Sequence, residues 1–271
     1  MLRSMYAGIS GLRGFQTKLD VIGNNIANVN TVGFKKGRAT FQDMMSQPVT
    51  GASAPTGIRG GINPIQVGTG VQLGTIDNIH TQGNRQSTQR PLDLQLEGDG
   101  MFVFGTGVNQ DNYQYSRAGN LYLDNEGYIV NANGQYLIGM DQERIQIPEN
   151  AESFSIQGNG VVNYIENGET QVAGQIAVAK FSNPGGLNKV GANMFQDSPN
   201  AGRMEDVNGN FIFAPESEGT ASIVAGALEM SNVDLSEEFT EMITAQRGFQ
   251  ANTRIITTSD EILQELVNLK R

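Results

Sequence analysis

The first stretch of the chain, from about Ser4 to Ala27, carries apolar residues at the spacing of an amphipathic helix. Two interleaved rows, each with a seven-residue repeat, are formed by Met5, Leu12, Leu19 and Ile26 and by Gly8, Phe15 and Ile22. This is the a/d pattern of a coiled coil. The glycines in the same stretch each cost roughly 1 kcal/mol in a helix relative to alanine. We therefore expect a helix that depends on a packing partner for its order.

The last stretch of the chain, from Asp234 onwards, predicts a second helix with a stronger pattern. Asp234 and Glu237 have the spacing of a capping box, and acidic residues at the start with Lys270 and Arg271 at the end complement the helix dipole. The predicted seam consists of Leu235, Phe239, Met242, Gln246, Phe249, Thr253, Ile256, Asp260, Leu263 and Val267. Each terminal helix could pack on its own core, or the two could pair with each other and with neighbouring molecules.

Between these ends the pattern changes to short apolar runs separated by turn residues. Leu92, Leu94 and Leu96 alternate with polar residues, and Gly98-Asp99-Gly100 then leads into the apolar run 101–104. Further runs of this kind are 121–123, 128–130, 136–138, 144–147, 154–156, 161–165 and 175–181. Turn signals at such short spacing are typical of an antiparallel domain and not of a parallel sheet.

The pattern therefore predicts an α+β protein, in which N- and C-terminal helices pair as a coiled-coil-like domain beside a mainly antiparallel β middle domain. We expect residues 1–45 and 226–271 to form the helical domain, 46–91 an extended, glycine-rich connector, and 92–225 the β-rich domain. Within the connector, Gln47–Gly74 is rich in Gly, Thr, Ser and Pro, so we expect it to be extended or mobile until something orders it. Asn183–Asn210 is expected to be a second long loop.

Composition narrows the range of functions. The chain has 271 residues, a formal net charge of −10 and no cysteine. The negative charge argues against nucleic-acid binding, because neutralising phosphates requires clustered Lys and Arg, and the lack of cysteine excludes disulfides and thiolate chemistry. No stretch approaches the ~20 apolar residues that span a bilayer, and the N-terminus does not resemble a cleaved secretory signal. We expect no membrane insertion.

Candidate motifs for catalysis or metal binding fail on their spacing. Gly68–Gly74 has the wrong final interval for a dinucleotide loop, and in Asp206–Asn210 the glycine comes too early for a calcium loop. The single histidine, His80, is expected to be a surface or turn residue. We therefore predict no catalytic residue, metal site, cofactor or enzymatic activity. The rival functions are a carboxylate-dependent glycan hydrolase, which would need two carboxylates across a cleft, and a soluble adhesin or binding module.

Longer motifs at both ends of the chain resemble a known family. Leu19–Lys35, with the sequence LDVIGNNIANVNTVGFK, is similar to the N-terminal signature of flagellar rod and hook proteins. Gly226–Leu235 and Met242–Asn252 resemble the segment leading into the family's last helix and the motif within it. Tyr115–Asn120 and Asp124–Gly127 resemble its shared β segment. The matches follow the family's order across essentially the whole chain.

The resemblance implies a structural subunit of the bacterial flagellar axial structure. Subunits of this family form a tubular homopolymer, with the terminal helices lining the inner tube and the β domain outside. They are exported unfolded, without a cleaved signal peptide, through the flagellar type III apparatus, and are located in the basal body and hook. The implied partners are further copies of the chain, the other rod proteins, and the hook-cap and hook–filament junction proteins.

The expected assembly interface consists of the two apolar seams. Its N-terminal residues are Met5, Gly8, Leu12, Phe15, Leu19, Ile22, Asn25 and Ile26. Its C-terminal residues are Leu235, Phe239, Met242, Gln246, Phe249, Ile256, Leu263 and Val267. A fully buried apolar side chain contributes roughly 1.5–3 kcal/mol, and these residues would gain most of that only beside a neighbour. A heterologous contact that does not close into a ring produces an open helical assembly.

Whether the resemblance is to the hook or to the distal rod is left open by the motifs. Gly68–Val71, His80–Asn84 and the modest length are similar to the distal rod protein, whereas the ending Gly226–Arg271 is more similar to the hook protein, of which short forms occur in some Gram-positive bacteria. On balance the motifs favour the hook, which bends as a universal joint and passes torque from rod to filament. The alternative is the stiff shaft of the distal rod. We hypothesise that contacts of the Gln47–Gly74 segment set how stiff the assembled structure is.

Overall fold

The computed structural model describes residues 2–55, 59–105, 113–205, 210–217 and 219–269. It divides into two compact units. The first comprises Met1–Ala27, Gly37–Asn78 and Asp234–Arg271, and the second comprises Asn28–Lys36 and Ile79–Val233. Two terminal helices pack together and the middle of the chain is mainly antiparallel β structure, which confirms the predicted α+β class. No helix in the described part of the chain is both long and apolar enough to cross a membrane.

The first unit contains two long helices and four strands. The elements are α1 (Leu2–Ala27), α2 (Leu235–Leu269), β1 (Gly37–Asp43), β2 (Ser46–Thr50), β3 (Ile65–Gly68) and β4 (Val71–Asn78). The N-cap predicted at Asp234 is present, because its Oδ1 accepts hydrogen bonds from the backbone N–H groups of Ser236 at 2.8 Å and Glu237 at 3.4 Å. These bonds satisfy donors that the first turn of a helix otherwise leaves unpaired.

The four strands of the first unit form one long hairpin. β1 pairs with β4 and β2 pairs with β3, both antiparallel. At the junction of the two ladders, the N–H of Met44 donates to the Gly70 carbonyl at 2.9 Å, and Thr69 Oγ1 donates to the Met45 carbonyl at 2.7 Å. Much of the Gln47–Gly74 segment is therefore paired. The sequence did not predict these strands because Gly, Pro and Thr interrupt any clear alternation, and every residue of β2 and β3 is exposed.

The second unit contains the remaining strands and a short 3₁₀ helix. The strands are β5 (Arg85–Ser87), β6 (Leu94–Glu97), β7 (Met101–Gly105), β8 (Gln114–Ser116), β9 (Tyr122–Leu123), β10 (Ile129–Val130), β11 (Tyr136–Leu137), β12 (Ser153–Ile156), β13 (Val161–Glu166), β14 (Glu169–Gln175), β15 (Val178–Ala179), β16 (Asn188–Gly191), β17 (Met194–Gln196), β18 (Ser222–Ala225) and β19 (Ala227–Glu229). The 3₁₀ helix is Pro184–Gly186.

The sheets of the second unit are antiparallel throughout the described residues. The largest has the order β16-β17-β8-β7-β11-β10-β9, with β15 also paired to β7. β12, β13 and β14 form a second sheet, and β18 pairs with β6 and β19 with β5. β7 lies at the centre of the core, because Phe102 and Phe104 pack into one hydrophobic cluster and Met101 and Val103 into another. A strand buried on both faces reads as a continuous apolar run, which is how the sequence presents it.

The strand predictions for the second unit were wrong at one run and missed several strands. The run 144–147 makes isolated bridges through Arg144 and Gln146 and forms no strand. β14 was missed, since its sequence ETQVAGQ has little apolar character. The predicted loop over Asn183–Asn210 contains β16 and β17, which pair with each other and with β8. Their turn uses Ala192 and Asn193 at φ of 50° and 58°, and it lacks the Asn-Gly or Asp-Gly sequence that would have marked a hairpin.

Candidate assembly interface

Helices α1 and α2 pack antiparallel through small and polar residues. A methyl group added at Gly248 would lie 2.6 Å from the ring of Phe15, and one at Gly11 would lie 2.7 Å from the side-chain nitrogen of Asn252. At Gly8 the added group would contact Ile256 at 3.3 Å. Gly8 and Gly11, which weaken α1 as an isolated helix, therefore let α2 approach its backbone closely. Their cost in helix propensity is offset by packing between the helices.

A polar cluster fixes one end of the helix pair. The buried side chain of Asn25 donates from Nδ2 to the Gly37 carbonyl at 2.8 Å and to Glu238 Oε2 at 3.1 Å, while its Oδ1 accepts from the Gly37 N–H at 2.9 Å. Lys18 and Glu241 form an ion pair at 3.0 Å near the same end. Asn25 thus ties α1 to both α2 and β1, and its bonds determine the register of the helices.

The predicted N-terminal seam residues lie mainly on the inner side of α1. Gly8, Ile22 and Asn25 are buried within the subunit. Half-buried positions are Met5, Leu12, Phe15, Leu19 and Ile26. Phe15 packs against Gly248 and also against Phe41 of β1, with ring centroids 6.0 Å apart. Part of this seam is therefore already occupied within one chain, and its role between copies stays a prediction.

The predicted C-terminal seam is divided between two faces of α2. Its half-buried members are Met242, Ile256 and Leu263. Its exposed members are Leu235, Phe239, Gln246, Phe249, Thr253, Asp260 and Val267. The buried positions of α2 are instead Glu238, Ala245 and Ser259, and the half-buried Asn252 continues the same seven-residue spacing between the last two. Sequence reasoning missed these because none is a large apolar residue.

Helix α2 consequently presents large apolar side chains to solvent. Leu235, Phe239 and Ile243 follow one another at four-residue spacing, so they form one exposed row in the first half of the helix. A second exposed row lies in the second half and consists of Ile255, Ile262, Leu266 and Leu269. Contiguous exposed apolar surface of this kind marks an interaction site.

A groove lies between α1 and the hairpin of the first unit. Its volume is about 670 Å³. Its lining residues on α1 include Arg3, Tyr6, Ile9, Arg13 and Thr17, and those on the hairpin side include Met44, Gln47, Thr69, Val71 and Leu73. Both of its arginines are exposed, so an apolar floor is bordered by positive charge.

The second unit contains a buried ion cluster that the sequence did not predict. Glu229 accepts from Lys35 Nζ at 2.6 Å, from Arg117 Nε at 2.9 Å and from the Gly83 N–H at 2.9 Å. Lys35 also donates to the Thr81 carbonyl at 2.7 Å. Burial raises the pKa of Glu229, but the charges of Arg117 and Lys35 outweigh it and hold that pKa below its usual value. Burial lowers the pKa of Lys35, and Glu229 opposes this effect.

Each member of this cluster comes from a different family-like motif. Lys35 ends the motif at the N-terminus, Arg117 lies in the β motif, and Glu229 lies in the segment before the last helix. A second contact joins two of the same motifs, since the backbone N–H of Gly33 donates to the Glu229 carbonyl at 2.8 Å. The motifs are distant in sequence, but their residues contact one another in one buried cluster. Some residues of these motifs therefore serve to hold the fold together.

His80 differs from its predicted surface position. It is half-buried, its ring centroid lies 5.5 Å from that of Phe195, and neither ring nitrogen has a hydrogen-bond partner among the described residues. Burial, together with the positive charges of Lys35, Lys189 and Arg117, lowers its pKa from 6.5 to about 4. His80 is therefore neutral at pH 7.

The described residues contain no group of three or more His, Cys, Asp or Glu side chains that could hold a metal ion. Four of the five residues in the calcium-loop-like segment, 206–209, lie outside the described part of the chain. The chemically distinctive features that the structure does describe are therefore the exposed apolar rows of α2, the groove beside α1 and the buried ion cluster.

Terminal helices with open apolar faces and an antiparallel β unit define a structural subunit suited to assembly. The chain belongs to the flagellar basal-body rod and hook family. Family models described as flagella basal body rod protein, flagellar hook protein FlgE/F/G D1 domain and flagellar basal body rod FlgEFG protein C-terminal match residues 5–35, 95–164 and 224–269.

Relatives of full length agree with this assignment. The chain is 55% identical over 272 residues to the flagellar basal-body rod protein FlgG of Bacillus subtilis (strain 168), covering 100% of both chains. It is 36% identical to the rod protein FlgG of Caulobacter vibrioides, covering 99% of this chain and 100% of the relative. It is 31% identical to the flagellar hook protein FlgE of Borreliella burgdorferi over a 450-residue alignment that covers 100% of both. The protein is thus a structural protein of the flagellar rod and hook family.

Proposed function

We propose that the chain is the subunit of the distal rod, the stiff shaft of the flagellum. The observation that carries this proposal is the 55% identity to a rod protein that aligns from end to end over 272 residues. The hook relative is 31% identical and needs an alignment of 450 residues, so that relative is much longer than this chain. The comparisons therefore favour the rod alternative over the hook, which the motifs alone had favoured.

The proposed role is mechanical and not enzymatic. Subunits add to one another through the terminal segments 1–45 and 226–271, whose helices line the inner tube, while 92–225 forms the outer β domain and 46–91 the connector. The exposed apolar rows of α2 support this mechanism, because surface of that kind is stabilised when a neighbour covers it. The other rod proteins, the hook-cap protein and the hook–filament junction proteins are the proposed axial partners, and the flagellar type III apparatus is the proposed export route.

The stiffness of the shaft is proposed to depend on the hairpin β1–β4. The hairpin contacts α1 through backbone and side chain, since the Val71 N–H donates to Ser10 Oγ at 3.3 Å and Phe41 packs on Phe15. A paired segment braced against an axial helix resists bending more than an unpaired loop does.

Electron microscopy of basal bodies from a deletion strain tests the assignment. We expect rods that lack their distal part, and we expect the full-length chain supplied in trans to restore complete rods and hooks. Complete rods without hooks in the deletion strain would show that the protein is a hook subunit instead.

A further inference from the structure

The end of α2 extends beyond its partner helix. In the antiparallel pair, Asn25 lies opposite Glu238 and Gly11 lies opposite Asn252. Each step toward the start of α1 therefore moves one step toward the end of α2, and Leu2 lies level with about residue 261. Residues 262–269 have no part of α1 opposite them. At 1.5 Å per residue this extension is about 12 Å long.

The extension is apolar on one face and acidic beside it. Ile262, Leu266 and Leu269 recur at spacings of four and three residues, so they share a face, and Leu269 is 83% exposed. Glu261 and Glu265 border this face. Between 255 and 269 the chain has three acidic residues and no Lys or Arg, while Arg254 precedes this stretch and Lys270 and Arg271 follow it. The extension is therefore a short amphipathic helix with a negative edge.

The groove beside α1 has the complementary character. From Arg3 to Thr17 it follows α1 for about 21 Å, which is long enough to hold the extension. Tyr6, Ile9, Val71 and Leu73 supply apolar lining, and Arg3 and Arg13 supply positive charge.

The groove also faces away from its own chain's α2. Tyr6, Ile9 and Arg13 lie on the side of α1 opposite to the glycine face that α2 occupies, as the helical repeat requires. The α2 extension of the same chain continues past the start of α1 on the glycine face and not on the groove side. The groove can therefore receive a different copy.

We propose that the α2 extension of one copy docks in the α1–hairpin groove of a second copy. This inference rests on the proposed rod function, because it names the surface through which the subunits polymerise. The donor and acceptor surfaces are different parts of the chain, so each copy can give one extension and receive another. Such a heterologous contact builds an open filament and not a closed dimer.

Engineered cysteines test this contact, because the native chain has none. A chain carrying both Tyr6→Cys and Leu266→Cys should form a ladder of disulfide-linked multimers when isolated basal bodies are oxidised. The matched control carries Tyr6→Cys and Phe239→Cys, since Phe239 and Leu266 are each 49% exposed. Neither the control pair nor the single-cysteine chains should give a ladder.

A charge exchange tests the same contact without new bonds. Arg3→Glu with Arg13→Glu should lower the number of complete rods per cell by about tenfold or more, and so should Glu261→Arg with Glu265→Arg, because each places like charges together. All four changes in one chain should restore rods. Purified variants with the helix content of the unchanged protein exclude misfolding as the cause.

The outcomes separate this inference from the proposed function. Complete rods that contain the Tyr6→Cys and Leu266→Cys chain but give no ladder would overturn the docking contact and leave the rod assignment intact. A quadruple variant that folds normally yet builds no rods would also overturn the contact. Complete rods in the deletion strain would instead overturn the rod assignment itself.

Discussion

The two units of this protein differ in how much of their apolar surface they bury. Among the described residues, the buried apolar side chains of the first unit are Ile22 and Ala245, and all the others belong to the second. The second unit places two hydrophobic clusters on either side of β7 and pairs its buried charges with one another. The first unit leaves two rows of large apolar side chains on α2 exposed to solvent. The second unit therefore has a core of its own, whereas the first needs neighbours.

Removing the end of α2 should have the largest effect. Truncation after Ile262 deletes most of the extension, including Leu266 and Leu269. We expect complete loss of incorporation into rods, scored by electron microscopy, because the exposed apolar surface is then missing. Hydrogen exchange of the purified chain should show unchanged protection in the second unit. A chain ending at Leu269 is the control and should assemble. Normal rods from the truncated chain would contradict the assembly role of the terminal helices.

Breaking the ion cluster should destabilise the second unit. Glu229→Gln leaves the buried charges of Lys35 and Arg117 without their carboxylate, and losing one partner of a buried pair costs about 3–5 kcal/mol. Urea unfolding followed by tyrosine fluorescence should report this loss. Exposed Glu149→Gln should change the free energy of unfolding by less than about 0.5 kcal/mol. A loss below about 1 kcal/mol at Glu229 would mean that the cluster does not stabilise this unit.

Acid should weaken the second unit through His80. In the unfolded chain His80 has its usual pKa of 6.5, whereas in the folded protein the pKa is about 4. The unfolded state therefore binds the proton first, and stability present above pH 6.5 is lost as the pH falls toward 4. By pH 5 the loss is about 2 kcal/mol.

His80→Phe isolates this effect. The variant should lack the His80 contribution to the fall in stability between pH 7 and pH 5. Glu229, whose folded pKa lies below its usual 4.5, contributes stability that is lost only at lower pH. The two effects are separated by the pH range of the measurement. Identical pH dependence of the free energy of unfolding in both proteins would show that His80 titrates normally when folded.

Crowding the helix pair should have an effect that is confined to the first unit. Gly248→Ala places a methyl group 2.6 Å from the ring of Phe15, and overpacking of this kind costs about 1–3 kcal/mol. Gly23→Ala is the matched control, because nothing lies within 4 Å of its added methyl group. It should stabilise α1 by up to about 1 kcal/mol. Faster hydrogen exchange in α1 for the first variant only would support the close approach.

The sequence predicted the fold class, both helices, the cap at Asp234 and the strand at 101–104, because these depend on local spacing. It did not predict which face of α2 packs against α1. That face carries Glu238, Ala245, Asn252 and Ser259, which are polar or small, so a search for apolar periodicity does not find it. The strands β16 and β17 were missed for a similar reason, because tertiary pairing and not propensity holds them in place.

The ion cluster could not have been predicted from local pattern at all. Glu229 lies 112 residues from Arg117 and 194 residues from Lys35. Nothing in the neighbourhood of any one of these residues indicates its partners. The motifs that resemble the family contain all three residues. The sequence therefore marked each residue but did not show that the three lie together.

The same long separation limits when the second unit can fold. Contacts between distant parts of a chain form late, because the intervening segment must first be brought together. During synthesis, Glu229 cannot meet Lys35 until the chain has grown to residue 229 of its 271. The buried ion cluster therefore forms only after most of the chain has been made, which makes it one of the last contacts to complete the second unit.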